Sequence, residues 1–154
     1  MGIFSFLKKK TTFFTAEEQA LIVKAIQASE KTTSGEIRIF VESKNPFVDP
    51  LDRASEIFFK LKMQNTVHRN AVLLYIAMDS HELALFADQG IYEKVGAAYW
   101  DNAVKNMLAE FQRDHITKGI EDCVRMIGAT LTEKFPYIST EDKNELPDDI
   151  VFGK

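Results

Sequence analysis

A single cysteine, Cys123, stands in 154 residues. The chain can therefore close no disulfide on itself and has no cysteine-rich zinc site. Its place inside a helical run reads as a small buried apolar residue. Histidine is almost as scarce, and His68, His81 and His115 show no metal-ligand spacing. Each suits an ordinary surface or capping role, and His68 draws interest only because it precedes Arg69 and Asn70. No apolar run reaches the roughly 18 residues of a membrane span. Basic charge is not in excess: 19 Lys and Arg face 23 Asp and Glu, for a formal net charge of −4. That balance disfavours a binder of nucleic-acid phosphates, which concentrates basic surface. There is no nucleophile elbow, no Walker loop and no twelve-residue EF-hand loop. No residue stands out as a catalytic nucleophile.

What the chain does have is core material. It is 45% hydrophobic and 11% aromatic, which suits one globular domain. Residues 1–14 read as an N-terminal arm, 15–138 as an α/β domain and 139–154 as an acidic tail with Pro147, partly ordered or loose. The first ten residues are apolar, then basic, the reverse of a secretory signal. Phe6 stands where a myristoylation signal wants Ser or Thr. They read as an arm dispensable to the fold, with weak membrane-surface contact as the minor alternative. Cytoplasmic residence is the expectation.

The stretch 69–91 organises the rest. Ala71–Ala77 is a nearly unbroken apolar run, as expected for a strand buried on both faces. Asp79 and Ser80 form a tight turn, and 83–87 returns as a second, antiparallel strand. Upstream, Thr15 and Glu18 form a capping box for a helix carrying Leu21, Ile22, Ala25 and Ile26. Residues 36–42 alternate with period two and make a strand. Asp49 and Pro50 start a helix whose stripe is Leu51, Ala54, Ile57, Phe58 and Leu61. Strand, helix, strand implies a parallel crossover. Three helices should follow: a short turn at 92–95, one opened by Trp100 and Asp101, and one capped by Asp114 and ended by Pro136. The expected architecture is a small mixed sheet, parallel crossover plus antiparallel hairpin, between helical layers.

This topology brings the starts of the two parallel strands and the end of the third to one edge. Glu36, Arg69, Asn70 and Asp88 converge there. Glu36, Asp88 and Asp101, at the start of a nearby helix, are candidate oxygen ligands for a hard cation. Each has a plainer reading as well: an ion pair with Arg69, a turn former, and a helix first-turn charge. Asp79 and Glu82 read as solvated residues at the other end of the hairpin.

Thr33 to Ile39, then Arg69 to Ala77, then Ala87 to Ile91 resemble, in order and spacing, the TPM domain family. The family takes its name from a thylakoid lumen protein, a photosystem II accessory protein and an acetylcholine-receptor accessory protein. Trp100-Asp101 and Gly119-Ile120 resemble its helical half. The resemblance implies a three-layer α/β/α sandwich with an acidic cleft for divalent cations, calcium first and magnesium second. Carried over by position, the site comprises Glu36, Asp88 and Asp101 as metal ligands, with Arg69 and Asn70 beside them. Asn70 would add a carbonyl oxygen or hold Asp88, and Arg69 would orient a carboxylate or receive an anion. The family often has Gly after the Arg-Asn pair, where this chain has Ala71. The leading functional expectation is a divalent-cation-binding domain with a protein-partner or accessory role. The alternative is a metal-assisted acid phosphatase, an activity attributed to some members.

Overall fold

The structure is a computed structural model that describes residues 13–47, 49–137 and 149–153. The first ten residues, expected to form a dispensable arm, lie outside these. The elements are α1 (Ala16–Glu30), β1 (Glu36–Glu42), α2 (Pro50–Lys60), β2 (Ala71–Ala77), β3 (Glu82–Ala87), α3 (Gln89–Val95), α4 (Ala97–Gln112), α5 (Ile116–Lys134) and β4 (Ile150–Phe152). The sheet order is β3-β2-β1-β4. β1 runs parallel to β2, and β2 is antiparallel to β3.

The period-two pattern of β1 sorts its side chains between two cores. Ile37, Ile39 and Val41 join Val72, Leu74 and Ile76 beneath α1, α4 and α5. Phe40 joins Leu73 and Tyr75 against Ala54, Ile57 and Phe58 of α2. Every residue of β2 is buried, because β2 is central and helices cover both of its faces. The result is the expected α/β/α sandwich.

Local chemistry sets the helix ends. The Thr15 Oγ1 accepts from the Glu18 N–H at 3.1 Å, and the Thr15 N–H donates to Glu18 Oε1 at 2.9 Å. Asp49 accepts from the Leu51 N–H at 2.8 Å and starts α2. Gly96, at φ 91°, ends α3 and opens α4, a conformation L side chains rarely adopt.

Several features depart from the sequence reading, among them the start of α4, which opens at Ala97 and not at Trp100 and Asp101, so that Asp101 lies beyond its first turn. Asp114 does not cap α5: His115 holds that position, and Asp114 sits at φ 58° in the turn before it. Asp is among the few residues that tolerate this region. Leu51 is 47% exposed rather than part of the buried stripe of α2, and Leu21 is equally exposed on α1. Each lies at the margin of its apolar face. The acidic tail also supplies β4, which pairs parallel with β1 through Ile39↔Ile150, Phe40↔Val151 and Val41↔Phe152. Three residues are too few to show a period.

Cys123 is buried in α5 as expected. Burial pushes its thiol up from 9.0 to about 12. The folded state therefore keeps a proton that the unfolded state begins to lose near pH 9, so folding stability falls as pH rises from there toward 12. Replacing Cys123 with Ala should flatten that part of the alkaline limb in urea titrations run from pH 8 to 11. An unchanged slope would contradict the assignment.

Candidate functional site

The start of β1 registers with the start of β2, Glu36 beside Ala71. The Asp88 N–H donates to the Ala71 carbonyl at 2.9 Å, one residue beyond the last β2–β3 pair, Val72↔Ala87. Glu36, Ala71 and Asp88 thus form one row across three strands. Residues paired in register share a sheet face, so the Ala71 methyl stands between two buried carboxylates. Glu36 is 2% exposed and Asp88 3%.

Arg69 closes the corner. Its Nε donates to Asp88 Oδ2 at 2.6 Å and its Nη2 to Asp88 Oδ1 at 2.8 Å, the two-pronged geometry that suits guanidinium and carboxylate. The same Oδ1 accepts from the Gln89 N–H at 2.8 Å. These bonds hold the Arg69 guanidinium above its ordinary range. Arg69 is at φ 51°, an uncommon conformation for a non-glycine residue. The turn presses the following helix against it: the Gly90 N–H donates to the Arg69 carbonyl at 2.8 Å. A Cβ on Gly90 would lie 2.2 Å from the His68 carbonyl oxygen and 2.5 Å from that of Arg69. Only glycine fits.

Asn70 is wholly buried. Its Nδ2 donates to Ser34 Oγ at 3.3 Å, and its backbone carbonyl accepts from the Glu36 N–H at 3.5 Å. Its side-chain oxygen, Oδ1, has no hydrogen-bond partner among the described residues. A buried amide oxygen without a donor is costly and uncommon in folded proteins.

The structure thus joins Arg69 to Asp88, aligns Glu36 with Asp88 across Ala71, and ties Asn70 to Ser34 and to the backbone of Glu36. Asp101 lies exposed on α4, where it lines a groove along β3. Among the described residues, no three His, Cys, Asp or Glu side chains stand together as a metal-ligand group. His68 packs against the Phe135 ring, centroids 6.1 Å apart.

Two groups escaped the sequence reading. Ser34 looked like an unspecific loop residue, yet its hydroxyl anchors Asn70. At the opposite end of β1, Glu42 is 2% exposed and accepts from three donors: Tyr75 Oη at 2.5 Å, Arg53 Nε at 2.8 Å and Arg53 Nη2 at 2.8 Å. Arg53 also pairs with Glu56. Burial, with the bond to Glu42, raises the Tyr75 phenol well above its ordinary value. The signal available was position: Glu42 shares a face with Phe40, which packs against α2.

The α/β/α sandwich, with Arg69-Asn70 before the central strand and Asp88-Gln89-Gly90 after the hairpin, agrees with the resemblance read from the sequence. A TPM domain model matches residues 7–130, and the chain belongs to that family. It is similar to the BA42 protein of the psychrophilic bacterium Bizionia argentinensis, at 37% identity and a TM-score of 0.83. That match covers 92% of this chain and 96% of the other. Two more distant structures share the fold. The N-terminal domain of the cg2496 protein of Corynebacterium glutamicum is 13% identical, with a TM-score of 0.58 and coverage of 79% and 76%. The N-terminal domain of a P. gingivalis protein is 10% identical, with a TM-score of 0.65 and coverage of 80% of each chain. No curated protein matched the sequence. Among the described residues, no helix is long and apolar enough to cross a membrane.

Proposed function

We propose that this TPM domain binds a divalent cation, calcium in the first place and magnesium as the alternative, at the corner of Glu36, Asn70 and Asp88, and serves a protein partner. The observation that carries the reading is the buried Asn70 Oδ1 without a donor among the described residues. A cation is a natural partner for such an oxygen. The groups at this edge of the sheet offer carboxylate, amide and hydroxyl oxygens, the donor set of a hard cation and not of zinc. With few carboxylates available, backbone oxygens or water would complete the shell, as calcium accepts. Asp101, out in the groove, is not placed among the ligands.

Arg69 is the competitor in this reading. Its guanidinium holds both oxygens of Asp88 and is a permanent cation. It is 38% exposed, so it can turn toward solvent when a metal takes the Asp88 carboxylate. Arg69→Gln should then tighten calcium binding about tenfold, read by isothermal titration. Unchanged or weaker binding would mean that Arg69 does not compete and that Asp88 is not a ligand. A phosphoester hydrolase would further require turnover of a phosphomonoester by the calcium- or magnesium-loaded chain. No side chain at the corner is placed as its nucleophile.

A further inference from the structure

β3 is an edge strand: among the described residues it pairs with β2 alone. The Asp88 N–H points to β2. In an antiparallel ladder the direction alternates along the strand. The N–H and C=O groups of Leu83, Leu85 and Ala87 therefore point away from β2, to the unpaired side of the strand, where Leu83 and Leu85 lie buried at the floor of a groove and Ala87 is half-buried. Proteins usually blunt such edges with lysine, proline or a bulge. The sequence Glu82-Leu83-Ala84-Leu85-Phe86-Ala87 has none of these. The groove, of about 460 Å³, follows the edge instead.

One wall of the groove is Pro50 and Leu51, from the start of α2. The other is Tyr92, Trp100 and Val104. Leu51 and Tyr92 are among the large apolar side chains left exposed. The lining carries two carboxylates, Asp49 and Asp101, and no basic side chain. Both walls are apolar, and the acid groups lie one on each.

We propose that this groove takes an extended peptide segment of a partner protein, apolar over three or four residues and carrying lysine or arginine, which adds to the sheet beside β3. The edge supplies backbone hydrogen bonds, the mode by which strand addition gains affinity. Alternate side chains of an added strand would face the Leu51 wall and the Trp100 wall in turn. Asp49 and Asp101 would receive the basic residues. This deepens the partner half of the reading above and is independent of its cation half.

The test uses a displayed library of ten-residue peptides selected against the full chain in EDTA. The best peptide is then made synthetically and titrated, with fluorescence of Trp100, the sole tryptophan, as the readout. The expected winners are apolar and basic. Asp101→Lys, a change on an exposed helix position, should weaken them about tenfold or more. Ala87→Pro should also weaken them: it removes an edge-facing N–H, and proline is tolerated on edge strands. Amide shifts should concentrate on Leu83, Leu85, Ala87 and Leu51. Failure to enrich any peptide, enrichment of acidic peptides, or equal binding to Asp101→Lys would overturn the proposal. Binding seen only after residues 1–10 are deleted would also overturn it, because the occupant would then be the chain's own arm. Since EDTA is present throughout, failure of the cation site leaves this result unaffected.

Discussion

Methionine in place of Arg53 should lower folding stability by about 3–5 kcal/mol, the usual cost of removing one partner from a buried ion pair. Arg53 supplies two of the three donors to Glu42, whose side chain is 3% exposed. The variant leaves that carboxylate in the interior with only the Tyr75 hydroxyl. Glu56, the other acid that Arg53 bonds, is 47% exposed and returns to water at little cost. The double variant Arg53→Met, Glu42→Leu should recover much of the loss, because buried ion pairs are often replaceable by apolar groups of similar volume. Urea denaturation of wild type, the two single variants and the double variant measures both effects. A loss below about 1 kcal/mol in Arg53→Met would place the pair with ordinary surface bridges.

Leu74→Ala should cost about 2–5 kcal/mol, the range for truncating a buried leucine. Leu74 is fully buried in the central strand, in register with Ile39 on one side and Leu85 on the other. Its neighbours are held by the sheet on one side and by helices on the other, so the space it leaves cannot easily collapse. A loss near half a kcal/mol in chemical denaturation would show that β2 is not the centre of the core.

The fold was legible wherever the pattern had length. Seven consecutive apolar residues announced β2, and the alternation in 36–42 announced β1. β4 was not legible, since three residues beyond an acidic segment carry no period. The corner was half legible. Strand directions alone brought Arg69 and Asp88 together, and the structure joins them by two hydrogen bonds. Its depth was not: nothing in the sequence distinguishes a buried Asn70, held by a serine 36 positions upstream, from an exposed turn residue. In the sequence, Asp101 joins the corner as the start of a helix shortly after Gly90, but that helix opens earlier, at Ala97, and Asp101 lines the groove along β3 together with Trp100.

The central claim is that the oxygens of Glu36, Asn70 and Asp88 hold a cation, and calcium titration of the full chain followed by NMR tests it most directly. Calcium should move the amides of Glu36, Asn70, Asp88 and Gly90 and the side-chain amide of Asn70. At about a hundred times the dissociation constant it should add about 2.7 kcal/mol of stability. Asp88→Asn should lose most of this response and Asp79→Asn, in the distant hairpin turn, should keep it. Unmoved resonances at Glu36, Asn70 and Asp88, or a response abolished by Asp79→Asn alone, would contradict the claim.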